Sequence, residues 1–240
     1  MTASISARAR SGRDLAWCLG LLAGLILWDL AGLDLALMRQ VAGPAGFGLR
    51  DHWITTVVLH QGGRVLGWIV LAALVAQLWR PLPFARALSV AERRWWLATS
   101  LLCLLVIPLL KHASLTSCPW SLAEFGGTAR YVSHWRWGVS DGGDGGCFPS
   151  GHASAAFSFL AGYFALRQQH PVAAQRWLWG VVGLGLVFGA GQTLRGAHYP
   201  SHTLWTAWTC LAVTLGSHHG WRAWRQRWAQ PAPVGQDNEA

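Results

Sequence analysis

Charge is scarce in this chain: Asp, Glu, Lys and Arg make up 12% of its 240 residues, about half the share usual in a soluble globular domain. That shortage excludes an ordinary soluble enzyme. Lysine is nearly missing, because the 19 basic residues are 18 arginines and Lys111. Net charge is still +9 and the sequence pI about 10.4, which in a soluble protein would suggest nucleic acid. The arginines form no basic run, so nucleic acid is excluded as a partner. Internal repeats, low-complexity tracts and long linkers are also missing, and one domain over residues 1–240 is the simplest organisation. What is plentiful is apolar: 52% of residues are hydrophobic, 17 are tryptophan, and the mean hydropathy is +0.29. Such a chain buries its side chains and is not disordered.

Six stretches nearly free of charge run Leu15–Leu37, Val65–Trp79, Trp95–Leu110, Gly151–Leu166, Trp177–Leu194 and Thr203–Trp221. The second to fourth fall short of the roughly 17–25 residues of a membrane helix and must borrow flanking residues such as Gly62 and Gly63. None alternates with the two-residue period of a membrane strand. The fold expected is all-α, an integral membrane six-helix bundle in the bilayer. Arginines precede the first stretch as in a signal peptide, but it is too long, and Asp29 and Asp34 stand where a cleavage site would be. With the N-terminus inside, twelve of the nineteen basic residues fall on the cytoplasmic side, as the positive-inside rule requires. Both termini are then cytoplasmic, and His152, His198 and His202 face outward. This predicts a bacterial-type inner membrane protein with a periplasmic active site. Residues 229–240, with Pro231 and Pro233, read as a flexible tail.

Three clusters stand at the outer ends of these stretches: Lys111 to Trp120, Cys147 to Ser154, and Gln192 to His202. In the second, Pro149 and Ser150 read as a helix start, Gly151 lets a ligand approach the backbone, and free amides there favour an anion. His152 sits beside that position, ready to move a proton. Lys111 and Arg195 supply positive charge, and Arg195 can grip phosphate with two N–H groups. A histidine, cations and a helix start are what phosphoryl transfer without a metal requires. His198 and His202 lie four apart, but Pro200 between them and the lack of an adjacent Glu make a helical metal site a poor reading.

These clusters resemble the three signature motifs of the type 2 phosphatidic acid phosphatase superfamily, over a core of about residues 95–221. The family's first motif is Lys, six residues, Arg-Pro; here Lys111 precedes Cys118-Pro119 at that spacing. The second, Pro-Ser-Gly-His, is complete at Pro149 to His152. The third is Ser-Arg, five residues, His, three residues, Asp, and here His198 and His202 occupy the last two places. Cys118 thus replaces one arginine, Gln192 the other, and His202 the aspartate. The resemblance implies a metal-independent lipid phosphatase with no cofactor, acting on a phosphorylated lipid. His198 would attack phosphorus and His152 would serve as acid and base. Lys111, Ser150, Gly151, Gln192 and Arg195 would hold the phosphate, and His202, or Asp141 or Asp144, would orient His198. A second register makes His202 the nucleophile and puts Thr206 in the aspartate position. Transfer of the phosphoryl group to another acceptor, or a catalytically degenerate binding or scaffold protein, fits the same pattern. Cys118 and Cys147, one in each of two motifs, are placed to form a disulfide in an oxidising compartment.

Overall fold

A computed structural model describes residues 2–228; the expected tail at 229–240 lies outside them. Eight α-helices carry the chain, with no β-strand among the described residues. Helix α1 (Thr2–Leu30) meets α2 (Leu33–Val41) at a bend of 69°. Gly32 makes that bend in the left-handed region, φ 64°, where a side chain is disfavoured. The first apolar stretch, expected as one continuous span, is therefore broken near its C-terminal end. A π-helical segment, Ile54–Gln61, runs directly into α3 (Gly62–Ala76). Helix α4 (Val90–Ala113) opens with a capping box, in which Ser89 Oγ accepts from the Glu92 N–H and Glu92 accepts from the Ser89 N–H.

The fourth stretch, expected as a span over Gly151–Leu166, is two short helices, α5 (Ser154–Phe157) and α6 (Ala161–Leu166). Helices α7 (Pro171–Leu194) and α8 (Pro200–Trp228) complete the fold, each started by proline, which suits a first turn. By length and apolarity three helical segments can cross a membrane, Ile54–Ala76, Val90–Ala113 and Pro171–Leu194, and the bent α1–α2 pair makes a fourth. Helix α8 packs on α1, α4, α5 and α7, while α5 and α6 pack on α7. Trp96, Phe157, Leu74 and Ile107 are fully buried between them. Gly162 permits this closeness, since a Cβ there would collide with Trp96 and Trp177. The outward faces remain apolar: Leu101, Leu102, Leu105 and Leu109 on α4, and Leu184, Leu186 and Val187 on α7, are exposed. Faces of that kind belong in lipid.

Candidate active site

The C-terminal end of α4, the approach to α5 and the α7–α8 turn converge at one end of the bundle, so the three clusters meet. The second cluster is not the helix start expected from its sequence. Residues 151–153 form turns, and α5, four residues long, begins only at Ser154. The cause lies in α8: Ser150 donates its N–H to the His202 carbonyl at 3.2 Å and accepts the Thr206 hydroxyl at 3.0 Å. Its backbone is thus committed to a neighbouring helix instead of opening its own. Thr206 is committed with it, also bonding the His202 carbonyl at 2.8 Å.

The third cluster is held by its backbone. The Gln192 carbonyl accepts from the N–H groups of Ala197 and His198, at 2.8 and 3.3 Å, which closes the turn after α7. Gly196 takes φ 74° with Phe47 directly behind it, and its carbonyl accepts the Trp120 N–H at 2.9 Å, tying the first cluster to the third. Asp34 of α2 accepts both the N–H and the hydroxyl of Ser201, fixing the segment between His198 and His202. Asp29 accepts the indole N–H groups of Trp135 and Trp205 and pairs with His134 at 3.3 Å. His134 stacks on Phe148 at 4.2 Å and meets the His202 ring at 5.5 Å. Cys118 and Cys147 are joined by a disulfide that links the first and second clusters.

His198 is buried, with Nδ1 3.5 Å from both His202 Nδ1 and the Cys147 sulfur. His202 Nδ1 also lies 3.1 Å from the Cys147 carbonyl. The ring centres of His198 and His152 are 6.5 Å apart, with planes inclined by 52°. Burial, with the charge of Lys111 and with His152 nearby, holds His198 well below the usual histidine range and so neutral. Burial, with His60, Lys111, Arg195 and Arg64, pushes His152 down to about 3. A Cβ at Gly151 would stand 3.9 Å from Lys111 Nζ, so the ammonium rests against the second cluster's backbone. Arg195 donates to the Arg50 carbonyl at 2.9 Å, reaches Gln192 Oε1 at 3.4 Å and lies 5.6 Å from the Trp120 ring centroid. The buried polar atoms with no hydrogen-bond partner among the described residues include Ser150 Oγ, Gln192 Nε2 and His152 Nδ1. Buried polar groups are ordinarily paired; Ser150 and Gln192 are positions that the sequence assigned to phosphate, and His152 is the one it assigned to acid–base chemistry.

Asp141 does not orient His198. Its carboxylate takes the Ser117 N–H, the Ser117 hydroxyl and the Gly143 N–H, and so builds the loop between α4 and α5. Asp29, Asp34 and His134 bring side-chain O and N atoms within 4.8 Å of one another, a grouping able to hold a metal ion, but Asp34 already accepts Trp28 and Ser201 donors and Asp29 the Trp135 and Trp205 indoles. Two residues escaped the motif reading. His60, from the π-helical segment, lies 3.9 Å from His152, ring centre to ring centre, and the charge of Arg64 acts on His152. Their one signal in the sequence is a polar pair, His60 and Arg64, at the start of an apolar stretch.

No curated protein and no solved structure gives a significant match to the chain. The sequence model of the PAP2 superfamily matches residues 93–226, more than half of the chain and the whole stretch that carries the three clusters; the chain therefore belongs to the PAP2 superfamily.

Proposed function

We propose that this protein is a six-helix membrane phosphatase that removes a phosphate or diphosphate group from a lipid at the outer face of a bacterial-type inner membrane. The observation that carries the reading is the set of unpartnered buried groups, Ser150 Oγ, Gln192 Nε2 and His152 Nδ1, gathered with Lys111 around two neutral histidines. Phosphate oxygens would satisfy the hydroxyl and amide donors, and Lys111 and Arg195 would balance their charge. A lipid substrate is supported by the exposed apolar helix faces and by a cleft of about 680 Å³ lined by Leu66, Val70, Ala155, Phe159, Leu184 and Phe188. Ala155 lies three residues beyond His152, so a chain in that cleft would start beside the phosphate position.

In this mechanism His198 attacks phosphorus through Nε2, its proton resting on Nδ1, while His202 keeps its own Nδ1 proton on the Cys147 carbonyl 3.1 Å away. The bond from phosphorus to the lipid oxygen breaks, and that oxygen takes a proton from His152. His152 then removes a proton from water, whose oxygen displaces His198 and releases phosphate. Because His152 is neutral in the free protein, its proton must arrive with the substrate, whose negative charge also raises the imidazole's proton affinity. His202 replaces a carboxylate with a neutral ring and steadies the charged phosphohistidine less.

The test is release of phosphate by the purified protein from undecaprenyl diphosphate, phosphatidylglycerol phosphate, phosphatidic acid and lipid A phosphates. His152→Ala and His198→Ala should abolish it, and orthovanadate should inhibit it. Phosphate appearing on a second lipid or sugar instead of in solution would identify a phosphotransferase. Neither product, together with no phosphohistidine labelling, would leave a binding or scaffold protein.

A further inference from the structure

The π-helical segment Ile54–Gln61 lies outside the part of the chain that matches the superfamily, yet it reaches the centre of the site. A π-helix closes its hydrogen bonds one residue later than an α-helix, and such segments are frequent where a side chain must be delivered to a functional place. Three glycines let this segment and α3 press close to their neighbours. A Cβ at Gly191 would stand 2.6 Å from Leu59, one at Gly63 3.2 Å from the Phe188 ring, and one at Gly67 3.2 Å from the Ala155 carbonyl. Leu59 and Gly63 flank His60, and Ala155 follows His152 by three residues. The close packing on both sides of the pair therefore sets the His60 ring over the His152 ring, with centres 3.9 Å apart and planes inclined by 33°.

His152 needs such a support. A histidine that moves protons or binds metal is normally aimed by a hydrogen bond through its other ring nitrogen. Here Nδ1 of His152 is buried without a hydrogen-bond partner among the described residues. What holds the ring is contact with its face. We infer that His60 is a positioning residue for His152, fixing the acid–base imidazole by stacking where a hydrogen bond would ordinarily do so. This inference rests on the reading of His152 as the acid and base of the reaction. The groups facing His152 are His60 and Arg64 from the π-helical segment and α3, Lys111 from α4, and Arg195 and His198 from the α7–α8 turn. All but the two histidines carry fixed positive charge, so a ring displaced toward water would gain protons more easily than the stacked one.

The experiment compares the full-length protein in detergent micelles or nanodiscs as wild type, His60→Phe and His60→Ala, with His60→Leu replacing the alanine variant if that one does not fold. Folding is checked by elution volume and by retention of the disulfide. His60→Phe keeps an aromatic face and should hold kcat within about threefold. His60→Ala should lower kcat by about tenfold to a hundredfold, a part of the roughly 10²–10⁴ that general acid–base catalysis contributes, with KM changed less than about twofold. Nitrogen-15 NMR of the histidine rings, with His152 assigned through His152→Gln, gives a readout independent of turnover. The His152 titration should stay near its low value in His60→Phe and move up toward 6.5 in His60→Ala. Unchanged kcat and titration in His60→Ala would overturn the inference. So would equal inactivity of the phenylalanine and alanine variants, since it would mean that a His60 nitrogen, not its face, is required. If the wild type turns over no lipid phosphate, the proposed function fails, while the NMR comparison still decides whether His60 holds His152.

Discussion

The disulfide between Cys118 and Cys147 offers the most quantitative test of how the site is assembled, because it joins two clusters that the proposed function has sharing one phosphate. The two residues are 29 apart in sequence. Closing a loop of that length removes about 12 cal/mol/K of chain entropy from the open state, about 3.6 kcal/mol at 25 °C. The perturbation is the double variant Cys118→Ser/Cys147→Ser, which leaves no new reactive thiol. Arg130 and Arg136 lie inside the loop, so a protease that cuts after arginine reports its opening. Where cleavage follows transient opening, the rate tracks the open population, and a loss of about 3.6 kcal/mol raises that population about 400-fold. Phosphate release should fall in parallel, since the Lys111 segment is no longer fastened beside His152. Reductant should reproduce both effects in the wild type and neither in the variant. Equal cleavage rates and equal activity in variant and wild type would refute the idea that this bond clamps the site.

Other expectations follow from the same geometry. Asp34→Ala removes the acceptor of the Ser201 N–H and hydroxyl; hydrogen bonds to a charged group are worth about 1.5–3 kcal/mol, so thermal unfolding should shift down and activity fall with it. Gly162→Leu forces a side chain between Trp96 and Trp177 and should destabilise by about 1–3 kcal/mol, read as a lower melting temperature. Burial keeps His152 at about 3 and His198 well below its usual range in the folded protein, while both titrate near 6.5 when unfolded. The unfolded chain therefore binds more protons in that window. Stability is full above about pH 6.5 and declines as pH falls toward the folded values. Melting temperatures measured between pH 7 and 5 should show the decline, and His152→Gln should reduce its slope by about one proton.

The helical class and the meeting of the three clusters were legible in the sequence, because apolar stretches and a complete Pro149-Ser-Gly-His152 motif are local patterns. The reading failed where one segment's backbone is claimed by another. Ser150 looks like a helix cap, but its N–H and carbonyl belong to α8, a commitment made across more than fifty residues. Asp141 looked free to orient His198, but the Ser117 groups that occupy it lie 24 residues away. The break of the first span was marked by Gly32, yet glycine is common in membrane helices, so its left-handed turn gave no separate signal. His60 was hidden for a different reason: its place over His152 depends on a local change of helix type, and composition does not report that.

The His198–His202 contact also bears on the lifetime of a phosphorylated intermediate. A ring nitrogen bonded to phosphorus carries positive charge, and a carboxylate beside it would lower the energy of that state. The neighbour here is an imidazole, 3.5 Å away between Nδ1 atoms, with the Cys147 carbonyl as its other contact. Relative to a carboxylate-backed site, the intermediate lies uphill from both substrate and product. Under the proposed mechanism it would form more slowly and be consumed more quickly, so little of it should accumulate at steady state. In the proposed mechanism, water, always present, would be favoured over an acceptor that must first diffuse in and bind, so a histidine in place of the aspartate would bias the reaction toward hydrolysis.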